Sequence, residues 1–208
     1  MSKNTELSEA MSARLCHDLS GSIGAIDNYL TLLDHENKDI STKARDLISE
    51  ETANLIQQVR FFRSVYASSG NESTITLAKL KKVIVDFFKD TKVTLNLHCE
   101  EDFLDMNSSI TKAAIVLAVL CADNINNSGT IDFYINKNND SPIWMFGTGD
   151  KLLLKEENLE ALQGNNNADI NVRNCCEHYV NLLCSGENYQ IIVTRKPDSI
   201  KYKLLKKS

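Results

Sequence analysis

Between residues 8 and 33 apolar side chains fall at Leu15, Leu19, Ile23, Ile26, Leu30 and Leu33. The later steps alternate four and three, which predicts a long helix with a seam of the kind that lines helix bundles. A polar break, Asp34-His35-Glu36-Asn37-Lys38-Asp39, follows. A second helix is predicted from 41 to 67, with Ile48, Thr52, Leu55, Val59, Phe62 and Tyr66 in the same alternation. Two long helices with a short connection form an antiparallel hairpin. Such a hairpin cannot cover both of its seams alone. A second copy of the chain is the economical partner, so a homodimer closed by a four-helix bundle is expected.

Ser68-Ser69-Gly70-Asn71-Glu72-Ser73 has the composition of a linker. It divides the chain into units at 1–68 and 76–208. Beyond it the pattern becomes mixed. Leu80, Val83, Ile84, Phe87 and Phe88 form one helical face, and Val93, Leu95 and Leu97 alternate with polar residues as a half-buried strand does. Asn107 is placed to cap a helix through 113–121. Strands are predicted at 130–136 and 141–146 about a turn at Asn138-Asn139-Asp140, and helices at 156–162 and 170–184. A hairpin of strands at 189–195 and 200–205 turns about Lys196-Pro197-Asp198. The fold class is therefore α followed by α/β, with a mixed sheet covered on one face by helices.

The chain has 208 residues, 42% hydrophobic and 25% charged, which is globular composition. A net charge of −5 with no basic run argues against nucleic acid as a partner. The longest apolar run, 113–122, is too short to cross a bilayer, and the polar start MSKNTELSEA lacks the apolar core of a signal peptide. No membrane association and a cytoplasmic location are expected. Cysteines 16, 99, 121, 175, 176 and 184 show no C-x-x-C spacing; reduced core thiols are expected, with no metal site.

The stretch RLCHDLSGSIG carries two glycines inside the first helix, each costing about 1 kcal/mol relative to alanine. His17 lies two residues from both Leu15 and Leu19, about 200° of helical rotation away, so it faces out from the seam. Its helical neighbours are Ala13, Arg14, Ser20, Gly21 and Gly24; apart from Arg14 all are small. The imidazole stands on a ledge that another protein surface can approach. A neutral imidazole is a nucleophile able to carry a phosphoryl group. Asp18 is placed to hydrogen-bond a ring nitrogen, and Arg14 to pair with phosphate or an acidic partner rim. The plainer alternative is that the small residues serve close helix packing. His35 reads as a turn residue and His98 as a strand-end residue.

Leu15-Cys16-His17-Asp18-Leu19 followed by Gly24-Ala25-Ile26 resembles the phosphoacceptor helix of dimeric histidine kinases, and more specifically that of ChpT-type histidine phosphotransferases. Phe61-Phe62-Arg63-Ser64-Val65-Tyr66 resembles the aromatic–Arg motif late in that family's second helix, and the element order after residue 76 resembles the kinase-type (Bergerat) ATPase domain. The resemblance implies a dimerisation and histidine phosphotransfer unit followed by an ATPase-like unit. Gly21 and Ser22 stand where kinases carry Thr or Asn and then Pro, which tells against phosphatase-type positioning of water and against a kink. The ATPase motif D-x-G-x-G reads Met145-Phe146-Gly147-Thr148-Gly149, with a thioether in place of the adenine-reading carboxylate. Gln163-Gly164-Asn165 offers one glycine where a phosphate loop would need more, and Asn124, Asn126 and Asn127 look as much like a helix end as a metal-binding region. ATP is therefore not expected to bind.

What the resemblance implies is a shuttle. His17 takes a phosphoryl group from the receiver domain of a hybrid histidine kinase and passes it to response regulators. Asp18 assists, and Arg14, Ser20, Gly21 and Gly24 meet the partner. The chain needs no cofactor of its own; Mg²⁺ is expected on the receiver. A non-catalytic dimeric scaffold and an ATP-dependent autokinase are the alternatives.

Overall fold

The computed structural model describes residues 2–66, 74–99, 105–136, 140–165 and 169–207. The linker expected at 68–73 and the first two residues of the turn expected at 138–140 lie outside them. Helix α1 (Lys3–Leu30) starts five residues before the expected start at residue 8. The Ser2 side chain caps it by accepting from the Thr5 amide, and Leu7 and Ala10 are buried against Cys175. It ends three residues before the seam, where residues 31–34 form a turn and the Thr31 hydroxyl donates to the Asn28 carbonyl. Asn37 accepts from the Asp39 amide at the start of α2 (Lys38–Tyr66), which packs against α1.

The far end of α2 is rooted in the rest of the chain. Phe61 and Val65 are buried in the main core, and the rings of Phe61 and Phe87 lie 4.6 Å apart. The Tyr179 hydroxyl donates to the Val65 carbonyl at 3.1 Å. Gln57 donates to the carbonyls of Asp86 and Phe87 in the last turn of α3 (Leu77–Phe88). The aromatic motif of the second helix is thus the footing on which the hairpin stands.

The remaining elements are β1 (Thr74–Thr76), β2 (Lys92–Cys99), β3 (Asp105–Asn107), α4 (Ser108–Asn124), β4 (Ser128–Ile135), β5 (Ile143–Thr148), α5 (Glu156–Gln163), α6 (Cys175–Gly186), β6 (Tyr189–Lys196) and β7 (Ser199–Lys206). The sheet order is β2-β4-β5-β7-β6, with β2 and β4 parallel and every other pairing antiparallel. Its inner face (Ile131, Phe133, Ile143, Met145, Ile200, Tyr202) packs beneath the helices, chiefly α4, most of whose side chains are buried. Asn107 caps α4 through the amides of Ser109 and Ile110. On the opposite face Tyr134 stacks between Trp144, 3.6 Å away, and His98, 4.2 Å away.

Three boundaries differ from the sequence reading for local reasons. β1 and β3 pair as a separate two-stranded sheet, each too short for alternation to show. β5 begins at Ile143 because Pro142 has no amide to give the ladder, though its carbonyl accepts from Asn136. α6 begins at Cys175 rather than residue 170. Ahead of it Asn174 accepts from the Asn171 amide and donates to the Asp169 carbonyl, and Asn171 accepts from the Arg173 amide. Those side chains outcompete the helix for the backbone. Cys121, Cys175 and Cys184 are core thiols, whereas Cys16 is exposed beside His17. Among the described residues no helix is long and apolar enough to cross a membrane.

Candidate functional site

α1 runs unbroken through Gly21 and Gly24, and the His17 side chain is 83% exposed on its outer face. Asp18 follows it and turns one carboxylate oxygen, Oδ1, to within 3.3 Å of His17 Nδ1. Its second oxygen, Oδ2, accepts from Arg14 Nε at 3.0 Å, one turn back along the helix. The three side chains form a row, Arg14 to Asp18 to His17. Nδ1 faces Asp18, so the other ring nitrogen, Nε2, is the one left to solvent. A carboxylate beside Nδ1 favours the tautomer with the proton there and a lone pair on Nε2.

The ledge around the ring is as bare as the sequence implies. A Cβ built on Gly21 or on Gly24 meets no atom within 4 Å, and both residues have ordinary helical backbone. The chain's own packing therefore does not require either glycine. Ser20 turns its hydroxyl back to the Cys16 carbonyl at 2.6 Å and adds nothing to the surface. About 2 kcal/mol of helix propensity is given up over this turn and a half with no return inside the chain. The return has to come from something that lies close against it.

Arg14, expected to meet an incoming partner, is half-buried and turned toward the C-terminal domain. Its Nη1 reaches the Val172 carbonyl at 3.5 Å, and the side chain lines a cleft of about 230 Å³ with Asp123, Asn124, Asn158 and Glu177. Glu177 is only 3% exposed; Asn158 donates to its Oε1, and its Oε2 has no hydrogen-bond partner among the described residues. Burial pushes its carboxyl up to about 7, although the Asn158 hydrogen bond and the Arg14 charge pull the other way. Burial also raises Asp123, against the hydrogen bond from Asn127 and the charge of Arg14. None of this cleft was anticipated from sequence. One signal was available: Glu177 shares a helix face with Val180 and Cys184, a carboxylate in an otherwise apolar row.

The segments that resemble nucleotide-binding motifs are occupied by packing. Met145 is buried in the core. A Cβ on Gly147 would lie 2.5 Å from Cys121 Sγ, and one on Gly149 would lie 2.9 Å from Ile125 Cβ. These glycines let α4 lie close on the sheet. Asn124 donates to the Tyr202 hydroxyl at 2.7 Å, and Asn126 and Asn127 adopt left-handed backbone just past the end of α4. Gly164, at φ 75°, is the left-handed stop of α5. Among the described residues no three His, Cys, Asp or Glu side chains gather as a metal ion would need. His35 is a turn residue, its Nδ1 accepting from the Asn37 amide, and His98 ends in the outer-face stack.

The family model for the histidine phosphotransferase C-terminal domain matches residues 77–199. Among solved structures, a bacterial phosphotransferase superposes with a TM-score of 0.85 at 20% identity, covering 98% of this chain and 97% of that one. The histidine kinase AdeS of Acinetobacter baumannii gives a TM-score of 0.49 at 11% identity over 90% of this chain and 95% of that one. A blue-light-activated histidine kinase domain of Erythrobacter litoralis gives 0.47 at 12% identity over 88% and 94%. No curated protein sequence matches the chain.

The raised Glu177 carboxyl carries a definite pH signature. Between about 4.5 and 7 the folded chain holds a proton that the unfolded chain releases, so this group's contribution to stability falls as pH rises through that window. At full ionisation the loss amounts to about 3 kcal/mol. Glu177→Gln should leave stability near pH 4 little changed and raise it at pH 8, as read by urea unfolding. Equal shifts at both pH values would refute the assignment.

Proposed function

The chain belongs to the histidine phosphotransferase family, and from that premise we propose that His17 is the phosphoacceptor of a phosphorelay. The observation that carries this reading is the setting of residue 17: an imidazole standing clear of bulk, with Nδ1 engaged by a carboxylate and Nε2 free. The donor is an aspartyl phosphate on the receiver domain of a hybrid histidine kinase. The Nε2 lone pair attacks phosphorus, the P–N bond forms as the acyl-phosphate P–O bond breaks, and the electron pair departs with the receiver carboxylate. The Nδ1 proton stays with the ring. Asp18 offsets the positive charge that the ring acquires, so the step releases no proton. Transfer to the aspartate of a response regulator is the same step reversed.

Charge on the moving phosphoryl group is neutralised by Mg²⁺ held in the receiver's acidic pocket, so this chain needs no metal of its own. In-line approach brings the receiver against Ser20, Gly21 and Gly24. That contact is the return on the two glycines. The relay operates in the cytoplasm, where such receivers are found.

Two features support feeding by a protein rather than by ATP. The carboxylate that would read adenine is replaced by buried Met145, with Gly147 and Gly149 closed over by α4 and the turn after it. Those residues do not fit a nucleotide.

The hairpin supports a two-fold dimer. Ile23 is 54% exposed and Ile56 46% exposed, with Leu30 and Val59 also open to solvent, although Ile23, Leu30 and Val59 belong to the apolar seams of their helices. A second hairpin would bury these residues in a four-helix bundle. Units 1–68 and 76–208 then divide the work between dimerisation with phosphotransfer and support of the acceptor helix.

Incubation with a phosphorylated receiver and Mg²⁺, without nucleotide, should place acid-labile phosphate on His17. His17→Gln should abolish it while fold and dimer persist; transfer through the variant would eliminate this acceptor, and labelling of the purified chain by ATP would restore the autokinase alternative. Gly21→Leu should raise the melting temperature yet slow transfer, because bulk returns to the ledge; unimpaired transfer would refute the docking role. Ile23→Glu with Ile56→Glu should convert a dimeric mass at micromolar concentration to a monomeric one, and a monomeric parent chain would contradict the bundle.

A further inference from the structure

Three elements of the C-terminal domain converge on Arg14. Asp123 comes from the last turn of α4 and Glu177 from the first turn of α6, and both carboxyl groups feel its charge. Val172 offers its carbonyl from the turn between α5 and α6. That turn is held by its own side chains, with Asn174 joined to both Asn171 and Asp169. The guanidinium meets this fixed surface with one nitrogen, Nη1, and Asp18 with another, Nε. A planar fork can make both contacts at once; an ammonium on a flexible stem cannot.

We propose that Arg14 is a positioning residue for phosphotransfer: the C-terminal domain anchors its guanidinium, which fixes the Asp18 carboxylate so that Asp18 holds the His17 ring with Nδ1 inward and Nε2 outward. This rests on the reading of His17 as phosphoacceptor. Without the anchor, Asp18 is one exposed-edge carboxylate on a helix with free rotamers, and its neighbour at the next position does not share its helix face. Arg14 removes that freedom from the far side. The domain that resembles an ATPase thereby keeps a task in the reaction, as the surface that sets the tautomer and aim of an imidazole in another unit. A direct hold on phosphate by Arg14 is disfavoured, since Nε and Nη1 are engaged by Asp18 and Val172 and the side chain is turned toward the C-terminal domain.

The test has a readout that does not depend on any partner. Long-range ¹⁵N spectra of the His17 ring in the full chain should show the Nδ1–H tautomer, and Arg14→Gln should shift the ring toward Nε2–H, the form preferred by an unperturbed neutral histidine side chain. An unchanged tautomer would overturn the proposal even if transfer proceeds, whereas absence of transfer to the parent chain would sink the phosphoacceptor reading and leave the tautomer result standing. In transfer assays Arg14→Gln and Asp18→Asn should each slow the reaction by about ten- to a hundredfold with half-saturation by receiver unchanged. The double variant should be no slower than Asp18→Asn alone, because Arg14 acts through Asp18. Additive losses, or a raised half-saturation, would show Arg14 touching the receiver and overturn the assignment. Arg14→Lys keeps charge and stem and so serves if Arg14→Gln fails to fold. It should be slow; a parent-like rate would refute the need for the fork.

Discussion

A histidine can pass phosphate between proteins only while one ring nitrogen carries a proton and the other shows a bare lone pair to the partner. On a helix these demands pull against each other. The carboxylate that secures the proton must be near, and everything else must be kept away. α1 meets both with Asp18 beside Nδ1 and with Ser20, Gly21 and Gly24 around the exposed ring. The cost is a weak central stretch in a long helix.

The rest of the architecture makes that weakness tolerable. Leu7 and Ala10 pack on Cys175, and beside them, at the C-terminal end of α2, Phe61 and Val65 are rooted in the main core. The N-terminal part of α1 is thus held against α6, and α2 lies along the helix. Within that domain, Gly147 and Gly149 admit α4 to the sheet so closely that the loop resembling a nucleotide motif is a packing element. The cleft left beside α4 and α6, where Asp123 and Glu177 face Lys155 and Arg173, takes a side chain of α1, Arg14.

Much of this was legible in the sequence, and the parts that were not share a cause. The hairpin, the sheet and the outward face of His17 follow from periodicity, because helix and strand geometry repeat over many residues. The small ledge follows because helical neighbours are fixed by spacing. The two three-residue strands and the late start of α6 were hidden, since short pairing and competition from Asn171 and Asn174 leave no periodic trace. The cleft was hidden for a different reason. Arg14, Asp123 and the neighbouring Val172 and Glu177 come from three distant segments, and their meeting depends on how the hairpin rests on the domain. Arg14 accordingly reads from sequence as a surface cation, and the structure turns it inward.

The central claim is that phosphate enters at the outward nitrogen of His17 from another protein. Its most direct test is to charge the full chain from a phosphorylated receiver without nucleotide and to identify the phosphorylated ring atom by ³¹P and ¹⁵N spectroscopy. The account predicts a single phosphoramidate on Nε2 of His17. Phosphate on Nδ1, or on any other residue, would contradict it.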